Sequence, residues 1–160
     1  MIKNVTVLLA ALAFTISAFA QQQTPPTVYQ NAGIYYRDKA LSIPYTGDYR
    51  EYYDNGTIKL EMQIANGMPE GTYVVYFENR KPQEIRSYKT GKLHGLWRTY
   101  DASGQLISEA EYLNGEKHGT WRIWDELGVQ RYEMNYNNGA KTGTWRMWDE
   151  TGKLIDERKY

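Results

Sequence analysis

The residues best equipped for chemistry in this 160-residue chain come in rows. His94 and His118, the only histidines, stand 24 positions apart, and Asp101, Asp125 and Asp149 keep the same interval. Histidine beside carboxylate suggests a metal site or general acid–base work. If the interval reflects stacked hairpins, however, equivalent residues lie two strand spacings apart, roughly 9.5 Å. Ligands of one ion each sit about 2 Å from it, so solvated turn histidines are the simpler reading. The aspartates fall where turns begin, and a carboxylate there accepts hydrogen bonds from backbone N–H groups. Cysteine is absent, which removes thiolate ligands, a thiol nucleophile and disulfides. Neither H-E-x-x-H nor G-x-S-x-G occurs, and Ser87, Ser103 and Ser108 have no histidine at motif spacing. A catalytic site occurs once in a chain, whereas these residues recur. The expectation is therefore a non-enzyme without cofactor or metal.

The interval itself is the main signal. Gly47, Gly71, Gly95, Gly119 and Gly143 mark five units of 24 residues without insertion. A second glycine follows nine positions on, as Gly56, Gly104, Gly128 and Gly152, with Arg80 in its place in the second unit. A third series is Gly67, Gly91, Gly115 and Gly139. Only Gly33 lies outside these three positions, so the glycines are read as structural turns and not as general flexibility. Two or three glycines in every unit would break any useful helix. Strand-prone runs such as Thr120 to Asp125 and Val129 to Tyr136 alternate with turn signals such as Asn114-Gly115 and Asn138-Gly139. The predicted fold is all-β: an elongated antiparallel β-meander of tandem β-hairpins, about ten strands in a single-layer sheet.

Comparing the units gives a register. Arginine recurs as Arg50, Arg98, Arg122 and Arg146, and glutamate as Glu61, Glu109, Glu133 and Glu157. Both fail together in the second unit, where Val74 and Ile85 stand, so the two positions are expected to face each other across the hairpin. A two-residue turn at Asn55-Gly56 would give that pairing. Alternation along the strands then puts Tyr49, Tyr73, Trp97, Trp121 and Trp145 on one face, with Val75, Ile123, Met147, Ile58, Leu106 and Leu154. The Arg–Glu rows share the other face with Tyr52, Tyr76, Tyr100, Trp124 and Trp148, unless a bulge near the turn moves this aromatic row. Aromatic rows stabilise a sheet by cross-strand contact. A single layer must also leave some of them exposed, which makes Tyr73, Trp97, Trp121, Trp124, Trp145 and Trp148 the candidate interaction surface.

Ahead of the units, residues 1–20 read as a signal peptide: Lys3, a largely apolar run, then Ala18-Phe19-Ala20. The apolar run is shorter than the roughly 20 residues that span a bilayer. Without a cysteine after it, the chain would be exported to the periplasm or beyond and not held as a lipoprotein. Residues 21–33, with Pro25-Pro26, read as a linker. Residues 34–46 are hairpin-like and are expected to cap the repeat domain of residues 34–160, whose units are 47–70, 71–94, 95–118, 119–142 and 143–160. Equal numbers of basic and acidic residues, 19 of each, offer no electrostatic case for nucleic acid or an anionic membrane.

The pattern Tyr-x-Asn-Gly-x-x-x-Gly-x-Trp-x-x-Trp-Asp-x-x-Gly-x-Leu, from Tyr136 to Leu154 and in related form from Tyr112 to Leu127, resembles the MORN repeat in its bacterial variant form. Pro44-Tyr45-Thr46-Gly47 after Ile34-Tyr35-Tyr36 is similar to the start of YwqK-type antitoxin proteins. The second unit departs from the pattern at Arg80 and Pro82. The resemblance implies an interaction or spacer module. Expected roles are an exported scaffold that binds an unidentified protein or itself, an envelope glycan-binding module, or an immunity protein that neutralises a toxin.

Overall fold

The computed structural model describes residues 27–160; the expected signal peptide, residues 1–20, and residues 21–26 of the expected linker lie outside the described residues. β1 (Tyr29–Asn31) and β2 (Ile34–Tyr36) pair as a small hairpin. The first of these strands lies in the stretch expected to be linker, because Ala32 and Gly33 form a two-residue turn, with φ of 48° and 79°, that lets Tyr29 pair with Tyr36.

Ten further strands make one open antiparallel sheet in strict chain order. They are β3 (Gly47–Tyr52), β4 (Ile58–Ala65), β5 (Met68–Tyr76), β6 (Pro82–Lys89), β7 (Lys92–Tyr100), β8 (Leu106–Leu113), β9 (Glu116–Trp124), β10 (Gln130–Asn137), β11 (Ala140–Trp148) and β12 (Leu154–Lys159). The meander expected from the repeats is the observed architecture. The outer strands β3 and β12 have six residues against eight or nine for the others, and carry charges on both faces. Short charged edges discourage further strand addition.

Two turn types alternate down the sheet. Between units, Asn66-Gly67, Thr90-Gly91, Asn114-Gly115 and Asn138-Gly139 are two-residue turns with positive φ at both positions; glycine takes every second position and asparagine, which tolerates positive φ, every first position except that of Thr90. Within units the turn is longer than the expected Asn55-Gly56 pair. Tyr53 N donates to Thr57 O at 2.9 Å, enclosing three residues whose last, Gly56, has φ of 78°. A bulge then follows in the return strand: Tyr52 pairs with Ile58 but Glu51 with Leu60, leaving Lys59 extra. One added turn residue and one bulged residue cancel, so Arg50 still meets Glu61, and Arg98, Arg122 and Arg146 meet Glu109, Glu133 and Glu157. Val74 meets Ile85 in the second unit, as expected.

The bulge corrects the face assignment in one respect. It lies beyond the aromatic row, on the return strand, and it is the aliphatic row that moves. Ile58, Leu106 and Leu154 pair with Tyr52, Tyr100 and Trp148, and therefore share the Arg–Glu face.

The first glycine of each unit also differs from its expected place. Gly71, Gly95, Gly119 and Gly143 lie inside β5, β7, β9 and β11, with φ between 60° and 95°. At Gly119 the strand pairs regularly with β10 but slips against β8, where Glu109 meets Arg122 and Glu111 meets His118. These glycines are bulges that re-aim each strand between neighbouring units, a use of positive φ that glycine spacing alone does not distinguish from a turn.

Candidate interaction surface

The Trp face is built by cross-strand contact, one ring per strand from the middle of the sheet to its end. Trp97 and Tyr112 have ring centroids 5.8 Å apart. Tyr112 to Trp121, Trp121 to Tyr136 and Tyr136 to Trp145 are each 5.2 Å, and Trp145 to Tyr160 is 4.8 Å. The planes are tilted by 52° to 57° through this run after Trp97, an arrangement worth about 0.5–1.5 kcal/mol per pair beyond area burial. Two of the bulges, at Gly119 and Gly143, support the ladder. The register slips opposite Gly119 and Gly143, and there each indole reaches a backbone carbonyl of the facing strand. Trp121 Nε1 donates to Glu111 O and Trp145 Nε1 to Asn135 O, both at 3.0 Å.

Lysines lie across the rings. Lys117 Nζ is 4.4 Å from the Trp121 centroid and 4.9 Å from Tyr136, and Lys141 Nζ is 4.3 Å from Trp145 and 4.7 Å from Tyr160. One turn edge of the ladder is thus cationic. Toward the other edge the same face is apolar and open: Tyr132 pairs with both Ile123 and Met147, and Ile123 and Tyr132 are 38% and 40% exposed. A shallow groove of about 330 Å³ lined by Tyr132, Met134, Lys141, Trp145, Arg146, Met147, Asp156, Arg158 and Tyr160 ends this surface at β12, where the Asp156–Arg158 ion pair borders the apolar strip.

At the opposite end the face is covered. Tyr45, Met62 and Ile64 are the buried cluster, at 6%, 4% and 2% exposure, with Val28, Tyr35 and Tyr49 packed against it. The N-terminal segment holds its place through Tyr35 N donating to Gly67 O and Gly67 N donating to Tyr45 O. Tyr35 and Tyr49 stand 5.3 Å apart at 58°, so the segment continues the ladder geometry from above the sheet. Burial raises the phenol pKa values of Tyr35, Tyr73 and Tyr112; at Tyr49 burial is reinforced by its hydrogen bond to Glu51. These hydroxyls stay protonated hydrogen-bond donors at neutral pH.

On the other face the arginines and glutamates form a continuous ladder through the last three units. Arg98 Nε to Glu109, Arg122 Nε to Glu133 and Arg146 Nε to Glu157 are 2.7, 3.2 and 2.9 Å, and Arg146 Nη1 reaches back to Glu133 at 3.0 Å. Every member has a partner, so this face presents self-neutralised charge worth about 0–1 kcal/mol per exposed pair.

The six candidate surface residues are therefore divided. Tyr73, Trp97, Trp121 and Trp145 lie on the ladder face, half-buried, whereas Trp124 and Trp148 lie with the ionic ladder and are separated by the strand that carries Gln130. Sequence reasoning passed over Tyr88, Tyr112, Tyr136 and Tyr160, which supply the intervening ladder rings, although they too recur at 24 residues. The two histidines are not brought together: His94 Nδ1 lies 3.3 Å from Asn114 Oδ1, and His118 pairs across strands with Glu111.

No curated protein matches the chain. A family model, the MORN repeat variant, matches residues 45–66, 93–114, 117–138 and 141–160, more than half of the sequence, and passes over the stretch between 66 and 93. Four matched segments, each a hairpin in one uninterrupted sheet, show that the chain belongs to the MORN repeat variant family.

Proposed function

We propose that this is an exported, non-enzymatic interaction module that binds another protein, or a second copy of itself, through the ladder face of its last three units. The observation that carries the reading is the contrast along that face. At the first unit the chain's own N-terminal segment lies over Tyr49, Met62 and Ile64, whereas at the later units Ile123, Tyr132 and Met147 make an apolar strip with no segment of the described chain above it. An occupant with an apolar, tyrosine-bearing hairpin would repeat what Val28, Tyr35 and Tyr45 do at the first unit.

Glycan binding needs an open aromatic ring face. Lys117 and Lys141 lie over Trp121 and Trp145, which favours the protein reading over the glycan reading. An immunity role would be one form of the same protein binding, with a toxin as partner.

The test is site-specific photo-crosslinking from position 123 in the exported fraction, combined with sedimentation of the purified protein. A protein or self-crosslink from position 123 that disappears in Tyr132→Lys, with the β-sheet circular dichroism unchanged, supports the assignment. A monomer that yields no crosslink from position 123 overturns it.

A further inference from the structure

We infer a ligand pocket on the opposite face, between the turns of the first and second units, that takes a small carboxylate carried on a flat apolar body. The pocket arises from a break in a regular packing rule. At three successive turn-to-turn contacts, a side chain from one unit lies over the turn glycine of the next. Lys81 Cδ comes within 3.6 Å of where a Cβ on Gly104 would stand, Gln105 Nε2 within 3.6 Å of that on Gly128, and Val129 Cγ1 within 3.7 Å of that on Gly152. Gln105 and Lys81 also donate to backbone carbonyls of the next turn, Asp125 O at 3.0 Å and Ser103 O at 2.6 Å. The turns of the last four units are thereby tied together.

Between the first and second units this filling is missing. The equivalent side chain is Thr57, which is short, and its hydroxyl donates back to Asn55 Oδ1 of its own turn at 2.7 Å. The residue it would cover is Arg80 and not glycine. A hollow of about 420 Å³ remains, floored by Ile58 and Tyr76 and walled by Asn55, Gly56, Thr57 and Arg80. Tyr76 is fixed there, since its hydroxyl donates to Glu61 Oε1 at 2.5 Å.

Arg80 holds φ of 67° where the other four units use glycine, a conformation unfavourable for any residue with a Cβ. Its guanidinium has no ion-pair partner among the described residues, although the neighbouring ladder arginines, Arg50 and Arg98, both do. A strained, unpaired cation beside an aromatic and an aliphatic floor fits an anion with a planar apolar body. A guanidinium matches a carboxylate with two parallel N–H donors, and the flat body would lie on Tyr76 and Ile58. The floor side chains select for the ring and Arg80 for the charge.

Titration of the isotopically labelled protein with phenylacetate, followed by NMR, tests the assignment. Saturable shifts at Gly56, Ile58 and Tyr76 are expected, with acetate and phenylacetamide each at least about ten-fold weaker, since each lacks one of the two recognised features. Arg80→Gly should abolish the saturable shifts while raising the melting temperature, because it restores the glycine that the turn prefers. Arg80→Lys separates the roles: it keeps the charge and the strain but loses the fork, and should weaken binding by several-fold without stabilising the fold. Diffuse non-saturating shifts, equal binding of phenylacetamide, or undiminished binding by Arg80→Gly would each overturn the pocket.

Discussion

The second and fourth units fold to the same hairpin from sequences that disagree at the positions where the repeat is most regular. In the fourth unit Arg122 faces Glu133, Gly128 and Asn138 take the left-handed turn positions, and Met134 separates Trp121 from Trp145. In the second, Val74 faces Ile85, Arg80 and Thr90 occupy those turn positions at φ of 67° and 49°, and Arg86 stands between Tyr73 and Trp97. The register is nevertheless identical, down to the bulge after each turn. Neighbouring strands on both sides and a fixed turn length are enough to hold it. The family residues make the hairpin cheaper to form but do not define it. Where the second unit departs, the local bonding loosens. Arg86 lies 4.4 Å above Trp97, and Trp97 Nε1 lacks the carbonyl bond that Trp121 and Trp145 both make.

The strongest way to break this comparison is to put a β-branched residue into a regular turn. Gly115 has φ of 92°, and Gly115→Val is expected to cost more than about 2 kcal/mol, against less than about 1 kcal/mol for Arg122→Val, which removes one member of an exposed ladder. Thermal or urea unfolding of the two variants decides it, and equal stability would contradict the turn geometry. A smaller effect comes from exchanging the turn residues. Gly128→Arg should destabilise and Thr90→Asn should stabilise, each by about 1 kcal/mol or about 2–4 °C in melting temperature. If Thr90→Asn left the melting temperature unchanged, the second unit would not be carrying the strain assigned to it. Restoring the ionic pair with Val74→Arg and Ile85→Glu together should change stability by under about 1 kcal/mol, whereas Val74→Arg alone should be the worse of the two.

Much of this was legible in the sequence because repetition acts as an internal control. The simultaneous loss of Arg and Glu in the second unit is a pairing signal, and it gave the cross-strand register that the structure shows. What was not legible is equally physical. Gly119 and Gly115 both need positive φ, yet one is a bulge inside a strand and the other a turn, and glycine spacing is the same for either. The bulge at Lys59 leaves no mark in composition, so simple alternation puts Ile58 on the wrong face. Register and alternation already sort the ladder tyrosines, since Tyr112 shares the face of Ala110, opposite Trp97, and Tyr100 that of Arg98; what only contact geometry shows is that Tyr112 bridges Trp97 and Trp121.

The smallest expected effect is a pH dependence confined to one part of the array. Asp101, Asp125 and Asp149 open the turns of the last three units, where Tyr53 and Phe77 stand in the first two. All three carboxyls are held below their ordinary value of 3.8. At Asp101 and Asp149 the main cause is the hydroxyl bond from Ser103 or Thr151, followed by the backbone N–H of Gln105 or Lys153. At Asp125 burial acts in the opposite sense but is outweighed by the backbone N–H groups of Val129 and Leu127 and by Arg131, whose Nη1 lies 3.4 Å away. A lowered folded-state pKa means that the carboxylate form is favoured by folding. The stabilisation is therefore fully present above the ordinary value and is lost as pH falls through the depressed one. In the first two units Asn55 and Asn79 make the equivalent backbone bonds to Thr57 and Lys81, at 2.9 and 3.0 Å, through amides that do not titrate. As the pH is lowered from about 6 to about 2, the amide resonances of Ser103, Gln105, Leu127, Val129, Thr151 and Lys153 should shift and lose hydrogen-bond protection. Those of Thr57 and Lys81 should hold until the whole sheet unfolds. Acid loosening of all five turns together would show that the sheet, and not its individual turn carboxylates, sets the response.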